Sequence, residues 1–274
     1  GTVAVYIKDI ESGVALEHNA DQPQYLASVV KMFVMFGVFR LIELEKITLD
    51  DKLTIKRSDY VDGAGTVNWM ESGSRITIRK LLENMMQLSD NAATDILIDL
   101  VGRDGVRKEA YWSGVKDVGP ITTLLEVRER VFRNLHPLGG RLTRHDHLDL
   151  WRVREYPQKL ALFSRKIRKP AGTFQPKDLD AAFDKFYKTR CNQATLRTLG
   201  VALENLQLGN VVSSKASEQM ISIMAGTKTG KKRTPSVLPA GWKMAYKTGT
   251  QRRRLCAAGV ITTPDNQHLA TAIC

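Results

Sequence analysis

Cysteine is scarce in this chain: Cys191, Cys256 and Cys274 are the only three in 274 residues. They are widely spaced and form no Cys-x-x-Cys pair, which removes the usual zinc and dithiol patterns. An odd, scattered set gives no dependable disulfide, so the sequence reads all three as packing residues. Long apolar runs are missing as well. The stretch Met32–Phe39 falls far short of the roughly eighteen apolar residues that a membrane helix needs. There is no internal repeat and no low-complexity linker. No leader peptide precedes Gly1, where strand-like sequence starts at once; that reads as a mature or trimmed chain and leaves export open.

Acidic residues are the minority charge. Lys and Arg number 41 against 29 Asp and Glu, a net charge of +12. Residues 126–190 hold sixteen Lys or Arg and eight Asp or Glu, and so supply eight of the twelve net charges. These charges are of mixed sign and match no nucleic-acid motif, so no nucleic-acid partner is expected. Attraction to anionic polymer surfaces, or plain solubility, uses the charge more economically. His136, His145 and His147 lie near Asp146 and Asp149, but the grouping reads as the surface of a basic segment rather than a metal site. No metal or organic cofactor is expected.

Three short strings stand out. Ser28 and Lys31 lie three apart in an apolar segment, Ala27 to Glu45, whose only breaker is Gly37. That predicts a buried helix, on which Lys31 can reach back to the Ser28 hydroxyl. Burial disfavours an ammonium and would turn the lysine into a usable base for a serine nucleophile. Ser89-Asp90-Asn91 sits between two helical stretches, where a helix cap explains it as well as chemistry does. Lys247-Thr248-Gly249-Thr250 lies in a strand from Trp242, paired across Gln251–Arg254 with Leu255 to Thr262. A glycine inside a strand marks a place where something approaches the backbone closely.

Taken together, the Ser-x-x-Lys, Ser-Asp-Asn and Lys-Thr-Gly strings resemble the class A β-lactamase and penicillin-binding-protein superfamily. The resemblance extends to the opening Val3–Ile7 strand with Glu11-Ser12-Gly13, to Gly73–Arg79, and to Leu238–Trp242, covering about residues 2–125 and 191–274. It implies one domain with an α/β lobe at about 1–48 and 208–274, built on an antiparallel sheet flanked by helices. A helical lobe at about 49–207 would carry a basic insertion at about 126–190; Pro157, Pro170 and Pro176 punctuate that segment, which reads as short helices joined by turns. Two further stretches, Asn192 to Leu206 and Ser217 to Ala225, read as helices.

The resemblance also implies roles. Ser28 is the acylated nucleophile, Lys31 its base, and Ser89 the proton donor to the leaving nitrogen. Asn91 holds the substrate amide, while Lys247, Thr248 and Thr250 receive its carboxylate beside Gly249. Backbone N–H groups of Ser28 and Thr250 form the oxyanion hole. The substrate would be a β-lactam or an acyl-D-Ala-D-Ala peptide, and the location periplasmic or secreted, near an anionic cell wall. The family packs a helix from each terminus against one face of the sheet; an apolar face left uncovered would favour homo-oligomers, which light scattering tests.

One part of the pattern is missing. No Glu-x-x-Leu-Asn string, which in the family carries the water-activating glutamate, occurs between Asn91 and Lys247. Glu126 and Glu129 are the candidate substitutes. Three readings follow: a working β-lactamase, a D,D-peptidase-like protein that deacylates slowly, and a silent module that binds peptidoglycan or a partner without turnover.

Overall fold

The computed structural model describes residues 2–274. Strands β1 (Val5–Asp9) and β2 (Ala15–His18) form a hairpin. The Asp9 carboxylate accepts hydrogen bonds from the N–H groups of Glu11 and Ser12 in the turn, where Gly13 takes a φ of +75°. After β3 (Gln24–Tyr25), a 3₁₀ turn at Ala27–Val30 runs into α1 (Lys31–Glu43). The first nine residues of α1 are all buried, so it is a central helix with no solvent face over that length.

A small antiparallel pair, β4 (Lys52–Thr54) with β5 (Arg75–Thr77), precedes α2 (Ile78–Gln87), α3 (Asn91–Val101) and α4 (Arg103–Ser113). Residues 124–187 then form α5 (Leu124–Leu135), α6 (Arg144–Arg152), α7 (Tyr156–Ile167) and α8 (Leu179–Tyr187), joined by turns as the prolines predict. The chain closes through β6 (Gln193–Ala194), α9 (Leu196–Gln207), α10 (Ser214–Ala225), β7 (Lys243–Gln251), β8 (Arg254–Thr262) and β9 (His268–Ile273). The helix expected from Asn192 begins later, at Leu196. Gln193 and Ala194 are instead paired with β3, and the Thr195 side chain caps the helix.

The main sheet is antiparallel in the order β2-β1-β9-β8-β7, as expected of an antiparallel sheet flanked by helices. Alternation along the strands sends Tyr6, Ala258, Val260, Ala270 and Ala272 inward, against a core shared with α1, α9 and α10. The opposite face carries Val5, Met244, Ile261 and Ile273 along an open apolar hollow of 440 Å³.

A second core lies among α5 to α8. Phe163 packs between Phe132 and Phe174, with ring centroids 5.0 and 5.1 Å away. This core takes in Tyr25 and Ala27, so the basic segment is anchored beside Ser28.

The cysteine expectation is corrected. Cys256 and Cys274 form a disulfide across β8 and the end of β9, with Cα atoms 4.1 Å apart. Ala257 faces Ile273, so the next opposed pair in the register is these two cysteines. Cys191 stays free and buried. His147 is also corrected: it is 3% exposed, packed on Phe132, and is no surface residue.

Candidate active site

Ser28 sits in the 3₁₀ turn at the head of α1, after Ala27, whose φ of +48° is costly for a residue with a Cβ. Lys31, one turn on, is fully buried. Its Nζ donates to the backbone oxygen of Ser89 at 2.7 Å and to Asn91 Oδ1 at 2.9 Å, and lies 3.2 Å from Ser89 Oγ. The expected bond from Lys31 to the Ser28 hydroxyl is therefore replaced by bonds to Ser89 and Asn91.

The Ser89–Asn91 corner acts as both cap and site. The Asp90 carboxylate accepts from the N–H of Ala93, capping α3, and from the N–H groups of Thr66 and Val67. Those bonds hold the 62–67 loop over the corner. A Cβ on Gly65 would lie 2.0 Å from Asp90 Cγ, and one on Gly63 would lie 2.1 Å from Asn91 Nδ2. Ser89 itself takes a φ of +59°, which turns its hydroxyl between two lysines. Lys247 Nζ donates to Ser89 Oγ at 3.0 Å from the other side.

Both lysines are enclosed. Burial, countered in part by Asp90 and Asp95, pushes the Lys31 pKa down to about 7. Burial and the neighbouring Lys31 push Lys247 well below its usual range. A neutral Lys31 has two N–H groups for the oxygens of Ser89 and Asn91, and keeps a lone pair for an arriving proton.

Strand β7 closes the pocket. A Cβ on Gly249 would meet the backbone oxygen of Leu26 at 2.4 Å and the nitrogen of Ser28 at 3.1 Å. Only glycine lets the strand come this close to the nucleophile turn. Thr248 Oγ1 is 2.7 Å from Thr229 Oγ1, and Arg233 donates to Thr250 Oγ1 at 3.1 Å. Ser28, Ser89, Asn91, Thr248 and Thr250 all line one pocket of 250 Å³. The sequence had separated these residues by more than two hundred positions.

The structure keeps Glu126 and Glu129 out of this pocket. On α5, positions 126, 129, 130 and 133 share a face, and they line a different cavity with Arg103 and Asp99. Glu126 is paired there with Arg103 and Arg130. Leu124 and Arg128 project the other way, into the Ser28 pocket. Arg128 was missed in the sequence, although the helical period that groups it with Leu124, Val131 and Phe132 was legible. Arg233 was missed too, as one cation in a Lys-Lys-Arg run.

A family model described as the beta-lactamase enzyme family matches residues 1–274. The chain belongs to that family. Beta-lactamase BRO-1 of Moraxella catarrhalis is 22% identical over 258 residues, which is 94% of this chain and 65% of that protein. The carbapenem-hydrolyzing beta-lactamase KPC of Klebsiella oxytoca is 22% identical over 251 residues, 91% of this chain and 67% of its own length. The chain thus spans about two thirds of the length of these relatives.

Among solved structures of this fold, a beta-lactamase from Sphaerobacter thermophilus DSM 20745 has a TM-score of 0.70 at 22% identity, covering 100% of this chain and 82% of the other. A mutant of PBP-A, solved as an acyl-enzyme complex with penicillin G, has a TM-score of 0.70 at 20% identity, covering 99% and 80%. At these identities the structures share the family fold.

Proposed function

We propose that this family member is a penicillin-recognising acyl-serine hydrolase. Ser28 Oγ bonds to the carbonyl carbon of a β-lactam and passes its proton to neutral Lys31. The lactam C–N bond breaks, and the nitrogen takes a proton relayed through Ser89. Asn91 holds the acyl amide. Lys247, Thr248, Thr250 and Arg233 hold the carboxylate, and the N–H groups of Ser28 and Thr250 stabilise the oxyanion. The observation that carries this reading is the Ser89 hydroxyl held between Lys31 and Lys247, in the pocket that holds Ser28.

Slow deacylation, as in a D,D-peptidase-like protein acting on acyl-D-Ala-D-Ala peptides, is favoured by a separate observation. Among the described residues, those lining the pocket include no Asp or Glu to activate a water, and its charged members are Arg128 and Arg233. The Cys256–Cys274 bond supports an oxidising compartment, periplasmic or extracellular. No helix among the described residues is long and apolar enough to cross a membrane.

Time-resolved intact mass spectrometry with benzylpenicillin tests the proposal. The expected result is a one-to-one adduct that persists for many minutes, and its loss in Ser28→Ala with no change in the folded-state circular dichroism spectrum. Rapid substrate loss without an adduct would mean that deacylation is fast and its base lies outside the pocket walls. No adduct and no substrate loss would mean a silent binding module.

A further inference from the structure

A second cleft, of 380 Å³, opens beside the Ser28 pocket and shares Arg128, Thr250 and Gln251 with it. Its walls come from α5, α6, α7 and α8, together with the β7–β8 turn, so residues 126–190 build most of it. The catalytic reading above makes no use of this space.

The cleft is rich in unmet hydrogen-bonding capacity. His147 is 3% exposed, and neither ring nitrogen has a partner. Arg128 gives its Nε to both oxygens of Asp62, at 3.0 and 2.9 Å, which leaves a buried Nη1 unpartnered. Buried polar nitrogens without partners are costly in an empty cleft, and a ligand that accepts hydrogen bonds removes that cost for Arg128 Nη1 and for the one N–H that a neutral His147 ring carries.

The charge balance says which kind of ligand. Asp62 is the only acid on the walls, and Arg128 holds it. Arg252, also on the wall, is paired with Asp180 and lies over the Tyr156 ring. Lys159 has no ion pair among the described residues; burial pulls its pKa down, the nearby Asp62 carboxylate favours its ammonium, and Arg128 and Arg252 oppose it. Once each ion pair is cancelled, one positive charge remains beside donors that lack acceptors.

We propose that this cleft is a second anion subsite, which takes a carboxylate at the far end of the substrate's acyl chain, against His147, Arg128 and Lys159. The assignment rests on the acyl-serine reading. An acyl chain on Ser28 leaves the first pocket between Arg128 and the Thr250–Gln251 edge of β7, because those residues line both spaces. The substrate is then anionic at both ends: one carboxylate at Lys247 and Thr248, the other in the cleft. A peptide bearing an acidic side chain near the scissile bond has this form. The basic segment acquires a use, since it supplies the walls and the unpaired lysine.

The test compares two penicillins that differ in one group: an adipoyl side chain ending in a carboxylate, and the adipamoyl counterpart ending in a neutral amide. The second-order rate constant of Ser28 acylation is expected to favour the carboxylate by about tenfold, the size of one charge-assisted hydrogen bond. In Lys159→Gln the ratio is expected to fall to about one. A ratio near one in the wild type, or one that survives in Lys159→Gln, would overturn the subsite while leaving Ser28 chemistry intact. If neither compound labels Ser28 and neither is consumed, the acyl-serine reading fails, and adipate is titrated in while the His147 ring resonances are followed. Saturable shifts that weaken in Lys159→Gln support the cleft as an anion site, and unmoved resonances overturn it.

Discussion

Lys31 shows how far a single residue's surroundings set its chemistry. The ordinary lysine amine is protonated at neutral pH and cannot accept a proton. Here burial brings the pKa to about 7. Below that value the ammonium dominates and Ser28 has no base; above it the neutral amine dominates. The acylation rate constant should therefore rise with pH through about 7 and level off beyond it, in stopped-flow measurements with a chromogenic cephalosporin. Lys31→Ala should remove the rise and lower the plateau by about 10²–10⁴, the usual contribution of a positioned base. A profile that stays flat from pH 5 to 9 would assign the proton to another group. The two residues of this chemistry were legible as a spacing of three. Their hydrogen bonds were not, because Ser28 sits in a 3₁₀ turn and Lys31 finds closer acceptors on Ser89 and Asn91.

At the scale of the elements, two buried aspartates place the catalytic strings. Asp95 on α3 accepts from the N–H groups of Leu124 and Leu125, fixing the start of α5 and hence which of its faces meets Ser28. Asp90 ties the α2–α3 corner to the 62–67 loop. Asp90→Ala leaves three backbone donors at Thr66, Val67 and Ala93 without their acceptor. A loss of about 3 kcal/mol in urea unfolding is expected, with acylation impaired as the Ser89 hydroxyl loses its place. Unchanged stability would mean that water replaces the carboxylate. The helix after Ser28, the two flanking Ser89–Asn91 and those ending near Leu206 and Ala225 were readable in the sequence, and so was the β7–β8 pairing. Glu126 and Glu129 lie on the α5 face turned away from the Ser28 pocket, which being near in sequence to a missing motif did not reveal.

For the whole molecule, the two cores and one covalent link decide how the pieces hold together. Phe163 and its aromatic neighbours give the basic segment a core of its own, joined to the site through Tyr25 and Ala27. The Cys256–Cys274 bond closes a sequence separation of 18 residues across β8 and β9. Reduction, or Cys274→Ser, should lower unfolding free energy by about 3 kcal/mol through the entropy of the opened chain. Equal denaturation midpoints with and without dithiothreitol would mean that the bond contributes little beyond the sheet's own hydrogen bonds.

The sequence by itself determined the family resemblance, the antiparallel sheet flanked by helices, and the three strings that carry Ser28, Lys31, Ser89, Asn91 and Lys247. The strings rest on local spacing, which a chain displays in one dimension, and the sheet flanked by helices is what the resemblance they carry implies. Only the tertiary structure decided that Ser89 lies between two lysines, that Cys256 meets Cys274, and that Arg128 rather than a glutamate faces the pocket. The buried His147 beside the unpaired Lys159 belongs to that second group. These facts depend on strand register, on helix rotation and on contacts between segments far apart in the chain, and none of those quantities is a property of any short stretch of residues.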